Sequence, residues 1–159
     1  APIIIIMRPT GLIIRLLNGS KDMGIVVTSS PNEDDDDFVV EKTREYNQQF
    51  VDNTFQLLSV YFRNSQNEII GGLTGKTFWN WLHVEYLWVH ESERKNGIGT
   101  KLMLTAETEA VSRGCVGSTL DTFSFQALDF YKSLGYSVLG SLNGYSGEHQ
   151  RHYLQKQIG

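Results

Sequence analysis

The stretch Leu82 to Lys101, LHVEYLWVHESERKNGIGTK, limits the possible folds more than any other part of the chain. Val84, Tyr86 and Trp88, with Leu87 and Val89 between and beyond them, are types that suit a pleated, mostly buried strand. A polar turn, His90 to Glu93, follows. The loop Arg94-Lys95-Asn96-Gly97-Ile98-Gly99 then opens a helix in which Ile98, Leu102, Ala106 and Ala110 recur every fourth residue. The first turn of a helix leaves backbone N–H groups unpaired, and the helix dipole concentrates positive potential there. Glycines let an oxyanion approach the backbone, and Arg94 and Lys95 add charge. The residues therefore read either as a plain turn and helix start or as a seat for a phosphate on Gly97, Ile98, Gly99 and Thr100.

Counting removes two familiar phosphate ligands. A dinucleotide fingerprint, G-x-G-x-x-G, would need glycine where Leu102 stands. A Walker loop ending in Gly75-Lys76-Thr77 would need glycine where Ile70 stands, and Phe78-Trp79-Asn80-Trp81 is a poor helix start. What is left is Arg-x-x-Gly-x-Gly between a strand and an amphipathic helix.

On these residues the chain resembles the GNAT superfamily of N-acetyltransferases, whose signature is [Arg/Gln]-x-x-Gly-x-[Gly/Ala] after a β-strand. Two further segments carry the resemblance: Leu120 to Ala127 (LDTFSFQA), similar to the family's next strand and turn, and Phe130 to Tyr136 (FYKSLGY), similar to its F-Y-x-x-L-G-F/Y run. The likeness extends over roughly residues 23–158 and is strongest over 81–140.

The chain in order agrees with an α/β domain. The expected elements are a strand over Gly24 to Ser29, a helix from Ser30-Pro31-Asn32 towards Phe50, and strands over Phe55 to Arg63 and Glu68 to Thr77, with a bulge at Gly71-Gly72. After the central strand and helix come a strand at Val116 to Thr122, a short helix at Gln126 to Leu134, and closing strands at Tyr136 to Gly140 and Arg151 to Gln155. The order is β-α-β-β-β-α-β-α-β-β in a mixed β-sheet with flanking helices, a GNAT-like domain over residues 23–159. The strand across the central helix should be parallel to the central strand, because such crossovers are right-handed. Lys101, Glu107, Glu109 and Arg113 are expected to face outward, and Gly114 to stop the helix. Residues 1–22 read as a strand-like extension. The acidic run Glu33 to Asp37 is read as a helix start and not a metal site, since consecutive side chains on a helix do not converge.

Composition closes off other classes. With 159 residues the chain can bury a real core, and 40% apolar with 20% charged residues is the make-up of an ordinary globular protein. A formal net charge of -4 gives no footprint for nucleic acid. No apolar run approaches the ~20 residues of a membrane helix. The lone Cys115 forms no internal disulfide and suits a reducing compartment, so a cytoplasmic location is expected.

The resemblance implies acetyl transfer from acetyl-CoA to a primary amine of a small molecule or protein, with no metal. Carried over residue by residue, Leu87, Trp88 and Val89 would offer backbone groups to the pantetheine arm and the thioester in a gap between splayed strands. Arg94, Lys95, Asn96, Gly97, Ile98, Gly99 and Thr100 would hold the pyrophosphate, and Gln126, where many members have Asn, would contact the coenzyme. Tyr131 would protonate the leaving thiolate, a task suited to a phenol of pKa ~10; beside Phe130 and Leu134 it also reads as a core aromatic. Glu85 lies near where some members carry a carboxylate base, on the same strand parity as His83, and reads equally as a solvent-facing side chain. Cys115 is not expected to act, since the family transfers directly. Acceptor specificity is expected in the first helix, the hairpin and Asn143 to Gln150. Dimers are common in the family, so a homodimer through the closing strands is expected. A non-catalytic acyl-CoA-binding module is the alternative that shares the phosphate loop.

Overall fold

Side chains that alternate in character between Gln56 and Phe78, around the turn Asn64 to Asn67, build an antiparallel hairpin and set the left half of a six-stranded sheet. The structure, a computed structural model, describes residues 24–159; the strand-like extension over 1–22 lies outside the described residues. The elements are α1 (Glu33–Asn47), β1 (Gln56–Arg63), β2 (Ile69–Phe78), β3 (Trp81–Val89), a 3-10 turn (Glu91–Glu93), α2 (Ile98–Ser112), β4 (Gly117–Phe123), α3 (Leu128–Ser133), β5 (Ser137–Tyr145) and β6 (His149–Gln157). Apart from the first strand, this is the expected order. Gly24 to Ser29 forms no strand: its backbone is irregular and Ile25 is 95% exposed. A strand needs a ladder partner for its backbone groups, and this segment has none among the described residues.

The chain divides into two compact units between Phe50 and Val51. In the first, α1 begins at Asn32, whose side chain accepts from the Asp34 N–H at 3.1 Å, and its first turn carries Glu33, Asp34, Asp35 and Asp36. The acidic run is thus a helix start, with carboxylates at the positive end of the dipole.

The second unit holds the sheet, in the order β1-β2-β3-β4-β6-β5. All neighbours are antiparallel except β3 and β4, which are parallel and joined through α2, as the crossover rule requires. The core lies between α2 and β1 to β4, where Leu58, Leu73, Leu82, Val84, Leu102, Met103, Ala106 and Leu120 are buried. Gly114, at φ +84°, ends α2 as expected.

Glu107 departs from expectation. It is buried, not outward, at 6% exposure. Position 107 falls on the same helical stripe as Met103 and Ala110, so the helix carries it inward whatever its charge. Its carboxylate accepts from the Tyr136 hydroxyl at 3.0 Å and from Lys156 Nζ at 2.6 Å, while that hydroxyl lies 2.7 Å from Ser118 Oγ. One polar network therefore joins α2, β4, β6 and the residue before β5.

The β2–β3 ladder pairs Thr74 with Tyr86 and Gly75 with Val84, which leaves Glu85 as an extra residue on β3. This is a β-bulge, and it shifts the alternation by one. Before it, Leu82 and Val84 are buried; after it, Leu87 and Val89 turn towards the core side, while Tyr86 and Trp88 are 75% and 48% exposed. The mostly buried strand expected over Val84 to Val89 is thus exposed at Tyr86 and Trp88. On the β3 side Gly71 and Gly72 pair in register with Val89 and Trp88, whereas on the β1 side the ladder slips just before them, with Ile70 as the extra residue between Gly71 and Ile69; a side chain at Gly71 would meet Ile98 at 3.0 Å, so this glycine lets α2 close on the sheet.

Gly75 is the residue that admits the bulge. A Cβ there would lie 2.3 Å from the His83 carbonyl oxygen, a contact that only backbone movement relieves. Gly75→Ala is expected to destabilise the fold by about 1–3 kcal/mol, the usual range for overpacking. Urea unfolding measures this, and a change below ~0.5 kcal/mol would show that the bulge does not depend on Gly75.

Candidate active site

β3 and β4 pair only at Trp81–Gly117, Leu82–Ser118 and His83–Thr119. Beyond His83 they diverge, because β3 has bulged towards β2 and β4 stays with β6. A cleft of about 400 Å³ opens at this divergence. One side is Leu87 and Val89; its end is Glu93, Arg94, Lys95, Gly97, Ile98, Gly99 and Thr100; the far wall is Ala127, Phe130 and Tyr131.

The end of the cleft has the backbone geometry that suits an anion. Lys95 and Gly97 both take positive φ, +66° and +79°, so the loop coils into a backbone concavity before α2. Gly97 is the N-cap and supplies no capping side chain, so the first-turn amides have neither an intrahelical partner nor a side-chain cap. Arg94 folds back and donates from Nε to the Val89 carbonyl at 3.2 Å, closing the loop onto the end of β3. At Gly99 a Cβ would come 3.2 Å from the Phe130 ring, so glycine lets α3 approach the helix start.

Tyr131 stands in the wall of the cleft, 9% exposed and edge-on to Phe130 and Tyr136, with ring centroids 5.2 and 6.1 Å away. Burial, helped by the negative charge of Asp121, pushes its phenol above the ordinary tyrosine value. The group therefore holds its proton at neutral pH. A Tyr131→Phe change would remove one oxygen and keep the ring packing.

The remaining expected residues separate into two sets. Leu87, Val89, Arg94, Lys95, Gly97, Ile98, Gly99, Thr100 and Tyr131 come together around the cleft. Trp88, Asn96, Gln126 and Glu85 do not line it. The bulge turns the Trp88 ring away, edge-on to His90 at 6.0 Å, which does not bear on the backbone contact expected of this residue. Gln126 precedes α3, and its Oε1 accepts from the Phe123 N–H at 2.9 Å and from Thr122 Oγ1 at 3.1 Å, holding the β4–α3 turn. Glu85 sits in the bulge and pairs with Lys76 across the ladder. His83 shares that face, as strand parity predicts, stacked on Phe78 at 4.3 Å; burial and then the charge of Lys76 push its imidazole down. Cys115 is buried, and burial raises its thiol pKa, which opposes thiolate formation. Sequence reasoning did not assign Glu93, Ala127, Phe130 or Asp121 to the site. Phe130 was signalled by the F-Y-x-x-L-G run; Asp121 had no local signal.

A glycine-nest helix start facing a buried tyrosine across a strand divergence is the arrangement that the Arg-x-x-Gly-x-Gly resemblance implies. Residues 28–136 match the acetyltransferase (GNAT) family. The chain belongs to this family. Among GNAT relatives, the blasticidin-S acetyltransferase of Streptomyces morookaense is 36% identical over 104 residues, covering 65% of this chain and 76% of that protein. An acetyltransferase of Agrobacterium fabrum is 40% identical over 101 residues, covering 64% and 74%. The crystal structure of an acetyltransferase from Bacillus cereus superposes with a TM-score of 0.75 at 31% identity, over 81% of this chain and 95% of that one. The protein is therefore an acyltransferase with the GNAT fold, and no helix among the described residues is long and apolar enough to cross a membrane.

Proposed function

We propose that this acetyltransferase moves an acetyl group directly from acetyl-CoA to a primary amine of a small molecule or protein. The observation that carries the reading is the single cleft that joins the Lys95–Thr100 anion seat to Tyr131. The backbone concavity, with Arg94 and Lys95, would hold the pyrophosphate. Leu87 and Val89 would flank the pantetheine arm where β3 has no β4 partner. The amine attacks the thioester carbonyl carbon, a tetrahedral oxyanion forms and collapses, and the sulfur leaves. Tyr131 would give its proton to that sulfur. Glu85, which lies outside the cleft and pairs with Lys76, would take a proton from the amine through water if the acceptor reaches β3 from that side and displaces the lysine. The relative that acetylates blasticidin S supports a small-molecule amine as acceptor. The unpaired Cys115 thiol fits a reducing compartment such as the cytoplasm.

The test mixes the purified protein with acetyl-CoA and a panel of amines, blasticidin S and polyamines among them, and follows free-thiol release. Amine-dependent release is the expected result. Coenzyme binding without release for any amine would support a non-catalytic role, and no coenzyme binding would remove the assignment of the 94–100 loop.

A further inference from the structure

Beyond Asp121 on β4, four side chains form a layered stack. The Arg151 guanidinium lies over the Tyr153 ring at 5.3 Å and over the Phe123 ring at 5.7 Å. Phe125 then stacks on Phe123, with centroids 5.3 Å apart and planes only 8° from parallel. The stack is rooted in Asp121, which accepts from Arg151 Nε at 2.7 Å and from its terminal nitrogen at 2.8 Å. It is also braced edge-on, by Tyr145 against Phe123 at 5.3 Å and by His149 against Phe125 at 4.8 Å. Isolated exposed aromatics are normal, but a braced stack that ends in a ring 62% exposed is not a scattered surface residue.

Position gives the stack its meaning. β4 carries Asp121 and ends at Phe123, and the turn that follows carries Phe125 and leads to Ala127, which lines the cleft. Asp121, the root of the stack, is also the carboxylate whose field reaches Tyr131. Phe125, which carries the outer ring, thus precedes the cleft-wall residue Ala127 by two positions. Parallel stacked rings favour a further flat ring over a puckered one, because a flat partner keeps contact over its whole face.

We infer that Phe125 is a specificity residue that receives a flat unsaturated ring of the acceptor, stacked on the open end of the Phe125–Phe123–Arg151–Tyr153 layer. The acceptor class is thus a small amine that carries an aromatic or heteroaromatic ring. The inference rests on the acetyltransferase reading of the cleft and adds the chemistry of the acceptor to it.

Isothermal titration with matched amines tests it: 2-phenylethylamine and tryptamine against 2-cyclohexylethylamine, on the full chain with coenzyme A present. The wild type is expected to bind the flat amines about tenfold more tightly than the puckered one. Phe125→Ala should erase that preference, and Phe125→Trp should keep it, with coenzyme A affinity the same in all three. A wild type that does not discriminate, or a Phe125→Ala protein that keeps the preference, overturns the inference. Coenzyme A binding is read separately, so failure of the cleft assignment shows as lost coenzyme binding whatever the ring preference does.

Discussion

Tyr131→Phe is expected to lower kcat by about 10²–10⁴-fold and leave coenzyme affinity unchanged, the effect of deleting a positioned general acid. The phenylalanine ring keeps the edge-on contacts to Phe130 and Tyr136, so only the proton donor is lost. The pH profile separates this from a packing defect. Burial and Asp121 raise the Tyr131 pKa above its ordinary value of 10.0. An acid must be protonated to act, so the wild-type rate should hold through neutral pH and show a Tyr131 limb only above about pH 10. The Phe variant should lack that limb. An unchanged kcat would remove Tyr131 from the chemistry.

The second large effect is on stability. Glu107→Ala is expected to cost about 3–5 kcal/mol, because it leaves Lys156 without its counter-charge in a mostly buried place and takes an acceptor from Tyr136. A midpoint drop of about 10 °C follows for a chain of this size. The pair Glu107→Gln with Lys156→Met should recover much of the loss, since replacing both partners leaves no uncompensated charge. Thermal unfolding of the single and double variants measures this, and a single variant within 1 kcal/mol of wild type would show that the network is not structural. The same network shapes the alkaline limit of the fold. Burial, and then the charge of Glu107, raise the Tyr136 pKa well above 10. The folded chain keeps a proton that the unfolded chain releases near pH 10, so more protons are bound in the native state and stability falls as pH rises beyond that point.

Much of this protein was legible in local sequence. The helix start at Asn32, the parallel crossover through α2, the stop at Gly114 and the glycine-bearing turn before α2 are all set by residues a few positions apart, where capping, periodicity and glycine backbone freedom act. Tyr131 was legible as well, through its place in the F-Y-x-x-L-G run, and the structure brings it to the cleft wall.

What local sequence did not contain was decided between strands. Nothing in LHVEYLWV marks Glu85 as the extra residue; the bulge appears only when β3 is laid against Gly75, and it moves Leu87 and Val89 to the cleft while turning Trp88 away. Gln126 carries a side chain that could reach a coenzyme, but the β4–α3 turn takes its carbonyl oxygen first. Glu107 reads as a surface charge until Lys156, 49 residues away, and Tyr136 are folded against it. Asp121 bears on the site only through its charge at Tyr131, and Arg151, arriving on β6, fixes its carboxylate. Patterns with a period of a few residues determine elements and their caps. Ladder register, and the pairing of charges far apart in the chain, exist only once the sheet is assembled.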